Sequence, residues 1–409
     1  MFRSPLRILP RLTRRAPSPF HTIRASPFTT LDPSKKIEEG RMPAFKRGLY
    51  YPVQLGDTLN SKYRVVSKLG FGANATIWLC RDMNTHRHIA LKVYIHTPGP
   101  NREVAVLKHI SSIKTKHAGK TLFRDMLDTF EIDGPEGRHQ CIVFEPLLTS
   151  VLHLQSCLNP PSLLEDVLKP LLLQTFLVLD YLHSEADIQA KNIMIACSDN
   201  TFFEDLESLE KQEPSPYKAT EGHTIYKSRP FTLKLANGNY GLPLLSDFGE
   251  ARIGPEHTGI IQPTIYRAPE VVLGMNWTSK VDIWNVGTLL WDLFEDHHLF
   301  DGRGPDRQHS DEHLLAEMTA VLGTPPACFL RKCPQPSRYW DESGQWIGEV
   351  KIPDLSLEDS EEYLEGENKD QFMKFMRKML HWDPDCRQTA RELMQDEWLV
   401  NYKLLELPK

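Results

Sequence analysis

Between residues 62 and 144 the apolar positions come in short runs. Lys62–Leu79 carries them on either side of a glycine pair, and Ile89–Tyr94 and Cys141–Phe144 are two further strand-like runs. Glu103–Ile110 has a helical spacing. From Leu163 onward the interval changes to three and four, which predicts long helices over 163–183, 279–296, 311–322, 370–381 and 388–399. The most apolar stretch, 171–182, is shorter than the roughly 18 residues that span a bilayer and reads as a buried core helix. Strands first and helices afterwards make an α+β class, with a small β-rich part and a large helical part. Two acidic stretches interrupt the pattern. Residues 199–240 hold Glu204, Asp205, Glu207, Glu210, Glu213 and Glu221 with Pro214 and Pro216, and read as a mobile, solvated insertion. Residues 352–368 read as a second acidic loop.

Composition changes this picture little. With 40% hydrophobic and 25% charged residues, the 409-residue chain is an ordinary globular one. Its formal charge of −6 is uneven. Residues 1–30 carry Arg3, Arg7, Arg11, Arg14, Arg15 and Arg24 and no acid; without them 42 basic residues face 54 acidic ones, near −12. That balance argues against non-specific nucleic-acid binding and suits a basic protein partner. The Arg-rich start has the composition of a mitochondrial transit peptide or of a disordered basic tail, and Pro5 and Pro10 would interrupt a helix there. Seven scattered cysteines without a Cys-x-x-Cys read as reduced thiols of an intracellular protein.

The chemistry gathers in a few places. Gly70-Phe-Gly72-Ala-Asn-Ala75 lies between two strand signals, which favours a hairpin over phosphates rather than a dinucleotide fold. Small residues at 70, 72 and 75 let backbone N–H groups approach a phosphate, and Ile77 would close over an adenine. Lys92, on the next strand signal, suits α- and β-phosphates. Glu103 is the best-placed anionic partner for it, although a helix-start Glu is also favoured by the helix dipole. Asp247, in Ser246-Asp247-Phe248-Gly249, follows an apolar run and can chelate Mg²⁺, with Asn192 as second protein ligand. Glu270 and Arg387 are candidates for a buried ion pair.

Taken in order over residues 69–400, these motifs resemble the eukaryotic protein kinases. More narrowly, the chain is similar to the SR-protein kinases, especially the branch multiplied in filamentous fungi. The residues that carry the likeness are Leu69–Leu79, Asp187-Ile-Gln-Ala-Lys-Asn192, Ser246–Ala251, Ile265–Glu270, Val281–Gly287 and Leu322-Gly-Thr-Pro-Pro326. The resemblance implies a two-lobed kinase fold: a basic tail over 1–45, a small lobe over 46–145, and a large lobe over 146–409 with the insertion 199–240 where SR-protein kinases carry their spacer. It implies ATP and Mg²⁺ as cofactors. Catalytic roles would fall to Asp187, Lys92 and Glu103, and metal binding to Asn192 and Asp247. Nucleotide contacts would come from Leu69, Gly70, Gly72, Ala75, Ile77, Ala90, Lys92, Glu145 and Leu147. Asp282 stands where the family has an Asp that holds the catalytic-loop backbone. The implied partner is protein, with serines in Arg/Ser-rich splicing-factor segments, and neither nucleic acid nor membrane is bound directly. A monomer in cytoplasm or nucleus is implied, whereas the Arg-rich start points to mitochondria.

One junction departs from the family. Asp187 and Asn192 keep their spacing, but the helical pattern runs through Leu182-His183-Ser-Glu-Ala186 straight into Asp187. About five residues, a reach of roughly 16 Å if extended, are missing. His183 stands four positions before Asp187 and not two, so placing Asp187 requires the preceding helix to unwind by a turn. Gln189 replaces the usual Lys, a trait of the branch that removes the positive charge which would neutralise the transferring phosphoryl group. Without the usual Arg before Asp187, phosphorylation of Thr258 or Thr264 is not expected to control activity. Three readings follow: an active serine/threonine kinase, a pseudokinase that binds ATP or a partner without transfer, or a splice form or exon-boundary error of an active enzyme.

Overall fold

The computed structural model describes residues 29–32, 34–186, 188, 192–197, 201–229 and 240–400. Its strands are β1 Thr58–Leu59, β2 Tyr63–Phe71, β3 Ala75–Asp82, β4 His88–Tyr94, β5 Met126–Gly134, β6 Gly137–Phe144, β7 Leu147–Ser150, β8 Asn192–Cys197, β9 Tyr217–Thr220, β10 His223–Tyr226 and β11 Tyr240–Ser246. The long helices are α1 Arg102–Ser112, α2 Glu165–Tyr181, α3 Thr201–Gln212, α4 Lys280–Phe294, α5 Asp311–Leu322 and α6 Gly366–Met379. They fall into two units that interleave along the chain. One contains the residues up to Pro98, Met126–Pro146 and Cys197–Tyr240; the other contains Gly99–Asp125, Leu147–Ala196 and the residues from Gly241 on. The expected division near residue 145 therefore shifts: α1 goes with the helical unit and the insertion with the strand-rich one.

In the strand-rich unit six antiparallel strands run in the order β1-β2-β3-β4-β6-β5. Alternate residues of neighbouring strands, among them Tyr63, Val65, Trp78, Cys80, Leu91, Val93, Cys141 and Val143, form one buried layer, as period-two geometry requires. β5 escaped the sequence reading because it is an edge strand whose apolar residues, Phe130 and Ile132, are only partly buried.

The expectation of a solvated loop over 199–240 does not hold for residues 201–229. They form α3 and the β9–β10 hairpin, with Phe202 and Phe203 buried and Tyr226 packed edge-on against Trp78. Two of the acids are buried. Glu207 accepts hydrogen bonds from Arg81 Nη1 at 2.8 Å and His88 Nε2 at 2.7 Å, with Lys211 Nζ also 2.7 Å away. Glu210 accepts from Ser67, Ser215 and Arg229. Nor is all of 29–45 a tail. The backbone of Thr29 and Leu31 hydrogen-bonds to Tyr217, and the Glu39 carboxylate pairs with the Lys68 ammonium, both fully buried. Buried charges persist only with partners, and Arg81, His88 and Ser67 stand more than a hundred residues before Glu207 and Glu210. That is why the acids looked solvated.

Glu207 gives this contact a pH dependence. Burial alone would raise its carboxyl, but the hydrogen bonds from His88 and Lys211 and the Arg81 charge outweigh it and hold it at about 2. The folded value lies below the unfolded one, so the stabilisation is present above pH ~4.5 and is lost as pH falls toward 2; it amounts to about 3 kcal/mol. Glu207→Gln is expected to lower the urea midpoint at pH 7 and to flatten its fall between pH 5 and 2. A variant with the wild-type pH profile would refute this.

In the helical unit α2 is buried over most of its length, as 171–182 predicted. A three-stranded sheet in the order β11-β8-β7 accompanies it. Glu270 and Arg387 form the expected pair: Nη1–Oε1 and Nη2–Oε2 are each 2.7 Å, both side chains are fully buried, and the guanidinium lies over the Trp284 ring. Two expectations change. The helix over 388–399 splits into Ala390–Leu393, with a Thr389/Glu392 capping box, and Glu397–Val400. The acidic loop 352–368 contains a short helix, Leu357–Ser360, and buries Leu357 and Glu361, whose carboxylate accepts the Tyr363 N–H. Among the described residues no helix is long and apolar enough to cross a membrane.

Candidate functional site

Within the strand-rich unit the glycine hairpin is built by β2 and β3. Gly70 faces Ile77 across the pair, and the Gly72 N–H donates to the Ala75 carbonyl at 2.8 Å. Neither Gly70 nor Gly72 has a positive φ, and a Cβ added to either would meet nothing within 4 Å. The turn itself therefore does not demand glycine. What the missing side chains leave is open backbone that an anion can approach, so this hairpin fits the phosphates of a nucleotide. Leu69 and Ile77 are half-buried, Ala75 is buried, and Ala90 is buried opposite Leu79 and Phe144. Lys92 lies between Ile77 of β3 and Ile142 of β6, its Nζ 5.0 Å from the centre of the Tyr94 ring. Glu145 is exposed just after β6.

Tyr50 was missed by the sequence reading. Its hydroxyl lies 2.6 Å from the Gly72 carbonyl and 3.0 Å from that of Ala73. Because a trans peptide points its N–H away from its C=O, holding these carbonyls turns the N–H groups of residues 73 and 74 to the opposite side. Burial, reinforced by Glu39, pushes the phenol up to about 12, so it remains a donor at neutral pH. Tyr50→Phe is expected to weaken nucleotide binding roughly fivefold, about 1 kcal/mol for one lost hydrogen bond, as read by titration calorimetry. An unchanged affinity would exclude this role.

Within the helical unit, α1 begins at an Asn101 cap whose side chain accepts the Val104 N–H. Glu103 is buried, and its Oε1 accepts the Phe248 N–H at 3.0 Å. The structure thus brings Glu103 to the backbone next to Asp247. Asp247 follows β11 with φ 66° and ψ 72°, a left-handed conformation that Asp tolerates, and caps a short 3₁₀ turn Phe248–Glu250. Phe248 packs edge-on against Phe123, which stacks on Tyr181 at the end of α2. Leu147 opens β7 opposite Ala196 of β8, and Asn192 is the first residue of β8.

Asp187, Gln189 and Lys191 lie outside the described residues. Their surroundings are nevertheless informative. Regular α2 stops at Tyr181 and widens into a π turn over Leu182–Ala186. The Ile188 N–H returns to the Leu182 carbonyl at 3.1 Å, and Ile188, fully buried, bridges Ile253 antiparallel. Ala186 is buried as well. The chain does not unwind by a turn as placing Asp187 was expected to require: residues 182–186 stay helical as a wider π turn, and Ala186 and Ile188, on either side of Asp187 in sequence, are buried. His183, set aside on sequence grounds, reaches Asp282 on α4, with Nε2–Oδ2 2.9 Å.

The chain is 61% identical over 397 residues to a serine/threonine protein kinase of Aspergillus fumigatus, covering 97% of this chain and 99% of that one. The chain belongs to the protein kinase family. The family's protein kinase domain model matches residues 232–399. The chain is also 28% identical over 386 residues to the serine/threonine-protein kinase SRPK of Physarum polycephalum, covering 87% of this chain and 90% of that one. Within the family it is therefore SR-protein-kinase-like. A crystal structure of a kinase domain superposes with a TM-score of 0.64 at 20% identity, over 86% of this chain and 99% of the other, and shows the same fold. The expected α+β kinase fold, with a strand-rich and a helical lobe, is the one observed.

Proposed function

We propose that this kinase transfers the γ-phosphoryl group of ATP, as its Mg²⁺ complex, to serine hydroxyls in Arg/Ser-rich protein segments, using the shortened catalytic loop. The observation that carries the reading is the way the chain absorbs the lost residues. A π turn over Leu182–Ala186 follows α2, Ile188 is buried and bridges Ile253, and β8 pairs antiparallel with β7.

Each residue has a defined task. Backbone N–H groups of the Gly70–Ala75 hairpin hold phosphate oxygens, and the Lys92 ammonium offsets their charge. Glu103 fixes the backbone of Phe248 and so orients Asp247. The side chains of Asp247 and Asn192 would hold the metal. Mg²⁺, when bound, offsets the charge that develops on the transferred group. Asp187 orients the serine hydroxyl and takes its proton as the new O–P bond forms and the bond to ADP breaks. The acidic body and the relative named SRPK favour basic Arg/Ser segments as substrate.

Steady-state phosphorylation of an Arg-Ser repeat peptide and of its Gly-Ser counterpart tests the substrate assignment. At least a tenfold higher kcat/KM for the Arg-Ser peptide is expected; equal values would remove Arg/Ser recognition. Magnesium-dependent ATP binding without transfer to any protein would favour the pseudokinase reading.

A further inference from the structure

Just past the end of α4, two buried carboxylates close on one short piece of backbone. Glu295 is fully buried; its Oε2 accepts the Glu362 N–H at 3.1 Å, while its Oε1 has no hydrogen-bond partner among the described residues. Glu361, also buried, turns back onto the next two N–H groups: its Oε1 accepts from Tyr363 at 2.8 Å and from Leu364. Three successive N–H groups are thus taken by two acids. Lys369, on α6, lies 3.1 Å from Glu361 Oε2 and donates to the Glu361 carbonyl at 3.1 Å. Asp296 and Glu362 add further negative charge around Glu295. The imidazole of His297 donates through Nδ1 to the Glu295 carbonyl at 2.8 Å. We propose that Glu295 holds the 357–364 segment to the end of α4 as a proton-dependent latch, closed when its carboxyl is protonated and loosened when it ionises.

The charge balance requires the proton. Two ionised carboxylates against one partly exposed ammonium leave the cluster a positive charge short. A buried carboxylate with an unpartnered oxygen is costly, and a second carboxylate beside it adds repulsion. A proton on Oε1 removes both costs and leaves Oε2 accepting the Glu362 N–H. Burial, helped by the charges of Glu361, Glu362 and Asp296 and opposed by that N–H, pushes the Glu295 carboxyl up to about 7. This value lies above that of a solvated glutamate, so the closed latch gains its proton as pH falls through 7 and loses it as pH rises. Opening would uncover apolar surface. Leu357 is fully buried, and the Tyr363 ring lies 6.0 Å from Phe294, itself 5.4 Å from Phe372. The latch is a property of the helical unit and does not depend on phosphate transfer.

The test is amide hydrogen exchange of the full chain at pH 5.5 and 7.5, followed by mass spectrometry and corrected for the intrinsic pH dependence of exchange. Protection of peptides spanning 357–366 should fall roughly tenfold or more between the two pH values, while that of β5 and β6 changes less than twofold. Glu295→Gln keeps the shape and an oxygen for the Glu362 N–H but cannot ionise, so its protection should vary less than twofold over the same range. His297→Asn keeps a donor near the Nδ1 position and removes the imidazole, and it should retain the wild-type fall. The two variants are independent, so one that failed to fold would leave the other to decide. A flat wild-type profile, a full fall in Glu295→Gln, or a fall that vanishes in His297→Asn would overturn the proposal.

Discussion

Replacing Asp247 by Asn is expected to reduce phosphate transfer by at least about 10²–10³-fold, the scale for removing one electrostatic contact to a developing charge, while leaving the fold intact. The substitution keeps size and shape, and Asn, like Asp, accepts the left-handed backbone that this position requires. The Phe248 N–H and the Glu103 carboxylate that flank it are unaffected, because their hydrogen bond does not involve the Asp247 side chain. What disappears is the negative charge proposed to hold the metal. Asp247→Ala would be a poorer probe, since a left-handed Ala adds roughly 1–2 kcal/mol of backbone cost and mixes stability with chemistry. Transfer assays alongside thermal melts check the expectation. An Asn variant with near-wild-type turnover would take Asp247 out of metal binding.

The second large effect concerns stability. Arg387 makes two 2.7 Å hydrogen bonds to Glu270 and donates through Nε to the His381 carbonyl at 3.0 Å and through Nη1 to that of Lys280 at 3.1 Å. Neither member of the pair has measurable exposure. Glu270→Ala would leave a guanidinium charge buried without its counter-charge, which costs about 3–5 kcal/mol. For a unit of this size that corresponds to a melting temperature lower by on the order of 10 °C. The double variant Glu270→Met/Arg387→Leu, which removes both charges and keeps volume, should be more stable than Glu270→Ala. Calorimetric scans of the three proteins decide this. A single variant that melts within about 2 °C of wild type would show that the charge is reached by water or neutralised.

Much of this arrangement was legible in the chain. Glu270–Arg387 was identified from motif order alone, and Lys92, the glycine hairpin and Asp247 fall on the strands and turns expected for them. Local period and local turn chemistry announce such features. Contacts made between distant segments were not legible. Glu207 and Glu210 read as solvated acids because Arg81, His88 and Ser67, which bury them, stand more than a hundred residues earlier. Tyr50 lies before the first motif and acts on a loop 22 residues on. The distance from Asp187 along the chain says nothing of where His183 goes, because its hydrogen-bond partner, Asp282, stands 99 residues downstream. The π turn is likewise invisible to a three-and-four-residue period, since its widened last turn keeps Leu182 and Ala186 buried like any helical pair.

The central claim is that the shortened loop still supports catalysis. Radiolabelled phosphate transfer from ATP to an Arg-Ser repeat peptide, by the wild-type chain and by Asp187→Ala side by side, tests it most directly. Transfer by the wild-type chain that falls to background in Asp187→Ala is the predicted result. Magnesium-dependent ATP binding with no transfer by either protein would contradict it.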